Sequence, residues 1–181
     1  MASPADVVLL PDAGPLITLA YADALDVLHK PGWSVALVDM VLHEVTRSHT
    51  PTSEKIAQWV ARKQVSILPT ELFARYQQLL ATQTAQNLGP RKSNLGELAI
   101  QEAMNGFALA APSALPKTGI FLFEDHKIAR KSFVLPDNCS KISTRAFLLF
   151  LEQKGLIDSA AQIERLAIQA GRAFSSLRFP P

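Results

Sequence analysis

Four short apolar runs along the chain predict the strands of a buried sheet. They occupy residues 7–11, 34–39, 65–69 and 119–125. Each run is almost continuously apolar, which is typical of a strand that is buried on both faces rather than on one. The pattern therefore predicts a sheet with helices packed on both sides.

The segments between these runs have the spacing of amphipathic helices. In residues 14–30, Leu16, Leu19, Leu25 and Leu28 recur close to the helical period and predict one continuous helix. The other predicted helices cover residues 40–47, 53–63, 70–86, 95–106 (closed by Gly106), 126–133, 143–155 and 158–171.

Strands that alternate with helices predict an α/β fold with parallel strands and right-handed crossovers. In such folds, ligands bind outside the carboxyl ends of the strands. The 181 residues suit one domain with a substantial core. The search for chemistry therefore concentrates on the ends of the predicted strands.

Composition narrows the class of protein without naming a function. Hydrophobic residues make up 48% of the chain and charged residues 19%, so we expect a folded domain. The single cysteine, Cys139, excludes an internal disulfide and a CxxC motif. No signal peptide or membrane span is predicted, so we expect a soluble, cytoplasmic protein. The net charge of +2 neither requires nor excludes a nucleic-acid partner.

Four acidic residues recur where the predicted fold collects ligands. Asp12 follows the first strand, and Asp125 ends the last predicted strand. Glu44 lies in the helix after the second strand, and Glu97 lies in the first turn of the helix at 95–106. Carboxylates that meet in one pocket repel each other unless cations neutralise them. Hard divalent ions such as Mg²⁺ or Mn²⁺ prefer these oxygen ligands, and they support phosphodiester hydrolysis.

Three of these acids also have a purely structural interpretation. Asp12 is equally well placed to cap the helix that follows it. Asn94 and Glu97 match a variant of the capping box, and Glu44 alone is typical of a solvent-facing helix residue. Composition and spacing by themselves favour these interpretations over a metal site.

Two neighbouring acids are alternatives to the assigned ones. Asp39 ends the second predicted strand, where a helix N-cap is the more common role. Glu124 stands beside Asp125, and either of the two is able to face the pocket.

Five blocks, taken in this order, resemble the PIN domain, a family of metal-dependent ribonucleases. They are LLPDAGPLI (9–17), VDMVLHEV (38–45), NLGELAIQEA (94–103), IFLFEDHKIAR (120–130) and STRAFLLFLEQKGLI (143–157).

The resemblance implies a fold, a site and a reaction. It implies a three-layer α/β/α sandwich, which we assign to residues 1–157. Residues 158–181 extend beyond the resembling core, and we expect them to form a helical extension packed on the same domain rather than a partner-binding helix. The resemblance implies an endoribonuclease that hydrolyses RNA with Mg²⁺ or Mn²⁺. The acids that match the family's metal-binding and catalytic positions are Asp12, Glu44, Glu97 and Asp125. Many relatives are toxins of bacterial toxin–antitoxin pairs (the VapC type), so an antitoxin partner and a homodimer are expected.

One departure from the family pattern leaves an alternative open. Relatives often carry Ser or Thr two residues before the final Asp, whereas Phe123 stands there in this chain. A catalytically weak or inactive PIN-like module that binds RNA or protein is therefore the rival interpretation.

Basic residues flank the proposed acids and are the candidates for RNA backbone contacts: Arg91, Lys92, Lys127 and Arg130.

Overall fold

The sheet has five strands, all parallel, in the order β3–β2–β1–β4–β5. The structure is a computed structural model, and it describes residues 7–85, 95–108, 118–124 and 135–173. The strands are β1 (Val7–Pro11), β2 (Ser34–Val38), β3 (Ser66–Leu68), β4 (Thr118–Phe123) and β5 (Cys139–Ser143).

Helices cover the sheet, so the predicted α/β/α sandwich with a parallel sheet is confirmed. They are α1 (Ala13–Tyr21), α2 (Asp39–Thr46), α3 (Pro51–Lys63), α4 (Glu71–Ala85), α5 (Leu95–Ala108), α6 (Thr144–Gln153) and α7 (Ala160–Gln169). Helix α1 packs against α3 and α7, and α5 packs against α2 and α4. Within the described ranges, none of the helices combines the length and apolar character needed to cross a membrane.

The strand order reverses beside β1, so the carboxyl ends of β1 and β4 lie at the topological switch point of the sheet. All five residues of β1 are buried, as its continuous apolar sequence predicts. Strand β1 pairs with β4 along its whole length, and the backbone N–H of Asp12 extends that ladder by donating to the Leu122 carbonyl at 2.9 Å. Crossovers leave β1 and β4 in opposite directions, which is the arrangement at which open α/β sheets bind ligands.

The continuous helix predicted over residues 14–30 is wrong. Helix α1 ends at Tyr21, and a separate 3₁₀ helix runs over Leu25–His29. Between them, Asp23 has a φ of 53°, a left-handed conformation that ends an α-helix. Its carboxylate pairs with Lys55 of α3 at 2.6 Å, so a contact with a distant element helps hold the break.

The predicted strand count was one short. Strand β5 lies at the edge of the sheet beside β4, and only Cys139 of its five residues is fully buried. It therefore lacks the apolar run that marks a central strand. Strand β4 ends at Phe123 and not at residue 125 as predicted, and β5 follows it as a further strand. Asp125 itself lies outside the described residues.

Helix α5 does not end at Gly106 as predicted, because it continues to Ala108. Helix α3 begins at Pro51 rather than Ser53, because Thr50 and Ser53 form a reciprocal capping box. The helix predicted over residues 126–133 lies outside the described residues.

Candidate metal centre

Three of the predicted acids face the edge of the sheet at which the strand order reverses. Asp12 comes from the β1–α1 junction, Glu44 from α2 and Glu97 from the first turn of α5. Helix α2 packs against both α1 and α5, which brings the three elements together. The carboxylates of Glu44 and Glu97 each raise the pKa of Asp12, so the charges act on one another.

Asp12 holds the N-cap position of α1, yet its side chain makes no capping hydrogen bond. The pKa of Asp12 is raised to about 7, mainly by burial and in smaller part by the charges of Glu44, Glu97 and Glu124, while the backbone amide of Ala13 opposes the shift. Asp12 therefore occupies the predicted N-cap position, but its side chain does not make the predicted capping hydrogen bond. A buried carboxylate whose charged form is disfavoured in this way is a candidate to bind a cation.

Glu44 is half-buried against α5 and does not face open solvent. A Cβ at Gly96 would lie 2.7 Å from the Glu44 Oε2 atom, so any other residue at position 96 would force this carboxylate to move from its present place. Burial and the nearby Glu97 raise the pKa of Glu44, whereas the Gly96 amide and Arg47 lower it. The glycine before Glu97 thus places the two carboxylates at the same helix N-terminus.

Glu97 is the third residue of α5 and is half-buried. Its charge raises the pKa of both Asp12 and Glu44. The capping box predicted for it includes Asn94, which lies outside the described residues. What the structure adds is the electrostatic coupling of Glu97 to acids from two other elements.

Asp39, one of the two alternative acids, already has a structural role. Its Oδ1 accepts hydrogen bonds from the Thr70 hydroxyl at 2.7 Å and the Met40 amide at 2.8 Å. Its Oδ2 accepts from the Thr70 amide at 2.8 Å. Val38 occupies the N-cap of α2, so Asp39 instead ties the start of that helix to the segment before α4.

Glu124, the other alternative, points into the protein. Its Oε2 accepts hydrogen bonds from Arg172 Nη2 and from the Thr18 hydroxyl, each at 2.9 Å. Burial raises the pKa of Glu124, and the hydrogen bond from Arg172 opposes this effect. Sequence reasoning missed this network, because the only signal was a single arginine in a mildly basic tail.

Phe123, which replaces the hydroxyl residue of the resembling family, packs in the core beside Phe121. A buried hydroxyl reaches the same turn from another element. Thr144, the first residue of α6, donates from its Oγ1 to the Phe123 carbonyl at 3.3 Å. The end of β4 therefore keeps a hydroxyl contact although residue 123 cannot provide one.

The remaining predicted site residues fall outside the part of the chain that the structure describes. They are Asp125, the fourth assigned acid, and the candidate RNA contacts Arg91, Lys92, Lys127 and Arg130. Their roles stay predictions from the sequence.

The donor chemistry fits a hard divalent cation. The converging side chains offer only carboxylate oxygens, which Mg²⁺ and Mn²⁺ prefer, and the raised pKa of Asp12 reflects negative charge held at low solvation. Across residues 7–85, 95–108, 118–124 and 135–173, no group of three or more acidic, histidine or cysteine side chains is assembled closely enough to hold an ion. The site therefore agrees with a divalent cation in the type and charge of its ligands, and the described side chains are not assembled at coordination distance.

No family model, curated protein or solved structure matches the chain. The resemblance to the PIN domain therefore rests on the five sequence blocks and on the positions of their acids.

The first prediction concerns the pH dependence of stability without metal. The folded pKa of Asp12, about 7, exceeds its unfolded value of 3.8, so the folded state loses stability as pH rises between them. The Asp12→Asn variant carries no titrating group at this position, so it does not lose stability in this way as pH rises. It should raise the free energy of unfolding at pH 8 by up to about 4 kcal/mol, since each of roughly three pKa units is worth about 1.4 kcal/mol.

Urea denaturation of both proteins from pH 4 to pH 8 in EDTA checks this, with the exposed Glu54→Gln as the control. The gain should be small at pH 4 and large at pH 8. An equal effect at both values would contradict the account.

The second prediction concerns the glycine that admits Glu44. Gly96→Ala should weaken Mn²⁺ binding by about tenfold, because the new methyl group displaces the Glu44 carboxylate. The free energy of unfolding should change by less than about 1 kcal/mol, because a flexible side-chain end can move and alanine favours a helix. Titration calorimetry with MnCl₂ measures the affinity.

Gly106→Ala is the matched control in the same helix, because a Cβ there meets nothing within 4 Å. It should leave Mn²⁺ affinity unchanged. Equal affinities for the two alanine variants would show that Gly96 has no part in placing Glu44.

Proposed function

We propose that the chain is a Mg²⁺- or Mn²⁺-dependent endoribonuclease that hydrolyses RNA phosphodiester bonds. The observation that carries the proposal is Asp12, whose carboxylate lies at the switch point of the sheet with its pKa raised by burial and by acids from two other elements. Such convergence is expected of a cation site and is costly in a domain whose acids serve only the fold. The ordered resemblance to the PIN domain supplies the reaction class.

In this proposal the acidic side chains bind the ion, and the helices and strand end that carry them set their positions. Asp12, Glu44 and Glu97 bind the cation together with Asp125. The Gly96 amide restrains Glu44 and leaves its carboxylate beside the N-terminus of α5. When bound, the divalent ion supplies an activated water and stabilises the charge that develops on the phosphate.

Basic side chains position the RNA strand. Arg91, Lys92, Lys127 and Arg130 follow or precede the assigned acids in sequence, and they would bind phosphates rather than read bases. Affinity for RNA should therefore fall with salt. The resemblance adds a homodimer and an antitoxin protein as further parts of the proposal, and the expected cytoplasmic location comes from the sequence composition.

The test is cleavage of a labelled single-stranded RNA with MgCl₂ or MnCl₂. Asp12→Asn and Asp125→Asn should each slow cleavage by at least about 100-fold, because each replaces a cation ligand by a neutral amide of the same shape. The exposed Glu54→Gln should cleave like the parent, and EDTA should abolish the activity of both.

Two outcomes would count against the proposal in different ways. If both Asn variants cleave as fast as the parent, the assigned site is wrong. If the parent binds Mn²⁺ and RNA but leaves the RNA intact, the chain is the non-catalytic binding module instead.

A further inference from the structure

A buried ion pair joins the C-terminal segment to the edge of the sheet that carries Asp12. Arg172 Nη2 lies 2.9 Å from Glu124 Oε2, and the two side chains are only 16% and 4% exposed. Arg172 Nε also donates to the Thr18 hydroxyl at 2.9 Å, and that hydroxyl donates to the same Glu124 oxygen. The three side chains thus form a closed triangle of hydrogen bonds.

The backbone conformation after α7 directs the Arg172 side chain towards Glu124. Gly171 has a φ of 108°, which a glycine adopts without strain, and the Arg172 amide donates back to the Ala167 carbonyl at 2.9 Å. Helix α7 itself packs on α1, the helix that carries Thr18. Arg172 therefore reaches inward at a defined place.

Glu124 stands next to the candidate cation ligands. It follows β4 directly, and the β1–β4 ladder places Asp12 beside that strand end. A Cβ at Gly14 would lie 3.1 Å from the Glu124 Cβ and 3.3 Å from its Oε2, so Glu124 packs against the first turn of α1. Its charge is felt at Asp12. The Glu124 Oε1 atom is buried without a hydrogen-bond partner.

A gain in folding stability does not by itself explain why the chain buries this ion pair. Desolvating two charges offsets most of their attraction, and apolar residues of similar volume often stabilise a fold equally well. A carboxylate beside a cation site, however, is a competing ligand unless another group holds it. Arg172 and Thr18 hold Glu124 by the oxygen that faces α1.

We propose that Arg172 is a positioning residue of the candidate metal centre, which retains Glu124 against α1, balances its charge and keeps it out of the set of cation ligands. The inference rests on the proposed cation site at Asp12, Glu44 and Glu97. It assigns Arg172 no contact with the RNA or with the ion.

The test compares two substitutions that break the same pair. Arg172→Met leaves Glu124 unbalanced and should raise Mn²⁺ affinity by about tenfold. Glu124→Gln leaves Arg172 unbalanced and should lower Mn²⁺ affinity by about tenfold. A merely structural pair would lower affinity in both variants, because both substitutions loosen the same packing.

Titration calorimetry with MnCl₂ gives the affinities, after circular dichroism has shown each variant folded. Arg165→Met is the control, because it removes an exposed positive charge from α7, the helix that precedes Arg172, and its affinity should equal that of the parent. The double variant Arg172→Met/Glu124→Gln buries no unbalanced charge, so it should fold even if Arg172→Met alone does not. Its affinity should return to within about threefold of the parent.

The outcomes separate this inference from the function on which it rests. Shifts in opposite directions that cancel in the double variant support it. Shifts in the same direction, no shift, or a double variant far from the parent overturn it and leave the cation site standing. A parent protein that binds no Mn²⁺ overturns both.

Discussion

The repulsion and desolvation of carboxylates at one edge of the sheet is the constraint on which the rest of this structure depends. Asp12 lies where the most buried of the described strands ends, with its pKa raised to about 7 despite the opposing hydrogen bond from the Ala13 amide. A domain that is only marginally stable tolerates such a group where it has a use. A divalent cation bound between these carboxylates would replace their mutual repulsion by attraction to the ion.

Glycine positions show how the chain accommodates these carboxylates. Gly96 leaves the space that the Glu44 carboxylate fills, and Gly14 leaves the space against which Glu124 packs. Both glycines lie in the first turn of a helix, where a larger residue would otherwise be favourable. Arg172 and Thr18 then hold Glu124 by hydrogen bonds to its Oε2 atom.

Much of the fold was predictable, because buried parallel strands have continuous apolar sequences. Strand β5 escaped prediction since an edge strand with Ser140 and Lys141 carries no such signal. The convergence of Asp12, Glu44 and Glu97 follows from strand ends and crossovers. Arg172 did not follow from any local pattern, because it meets Glu124 across 48 positions and through a turn that only tertiary packing specifies.

The most direct test of the account is a crystal structure of the Mn²⁺-soaked protein with anomalous diffraction recorded at the manganese edge. We predict a peak within coordination distance of the Asp12 carboxylate and of Glu44 or Glu97, with Glu124 still bound to Arg172. A protein saturated with Mn²⁺ that gives no peak at Asp12, or a peak elsewhere on the surface, would contradict it.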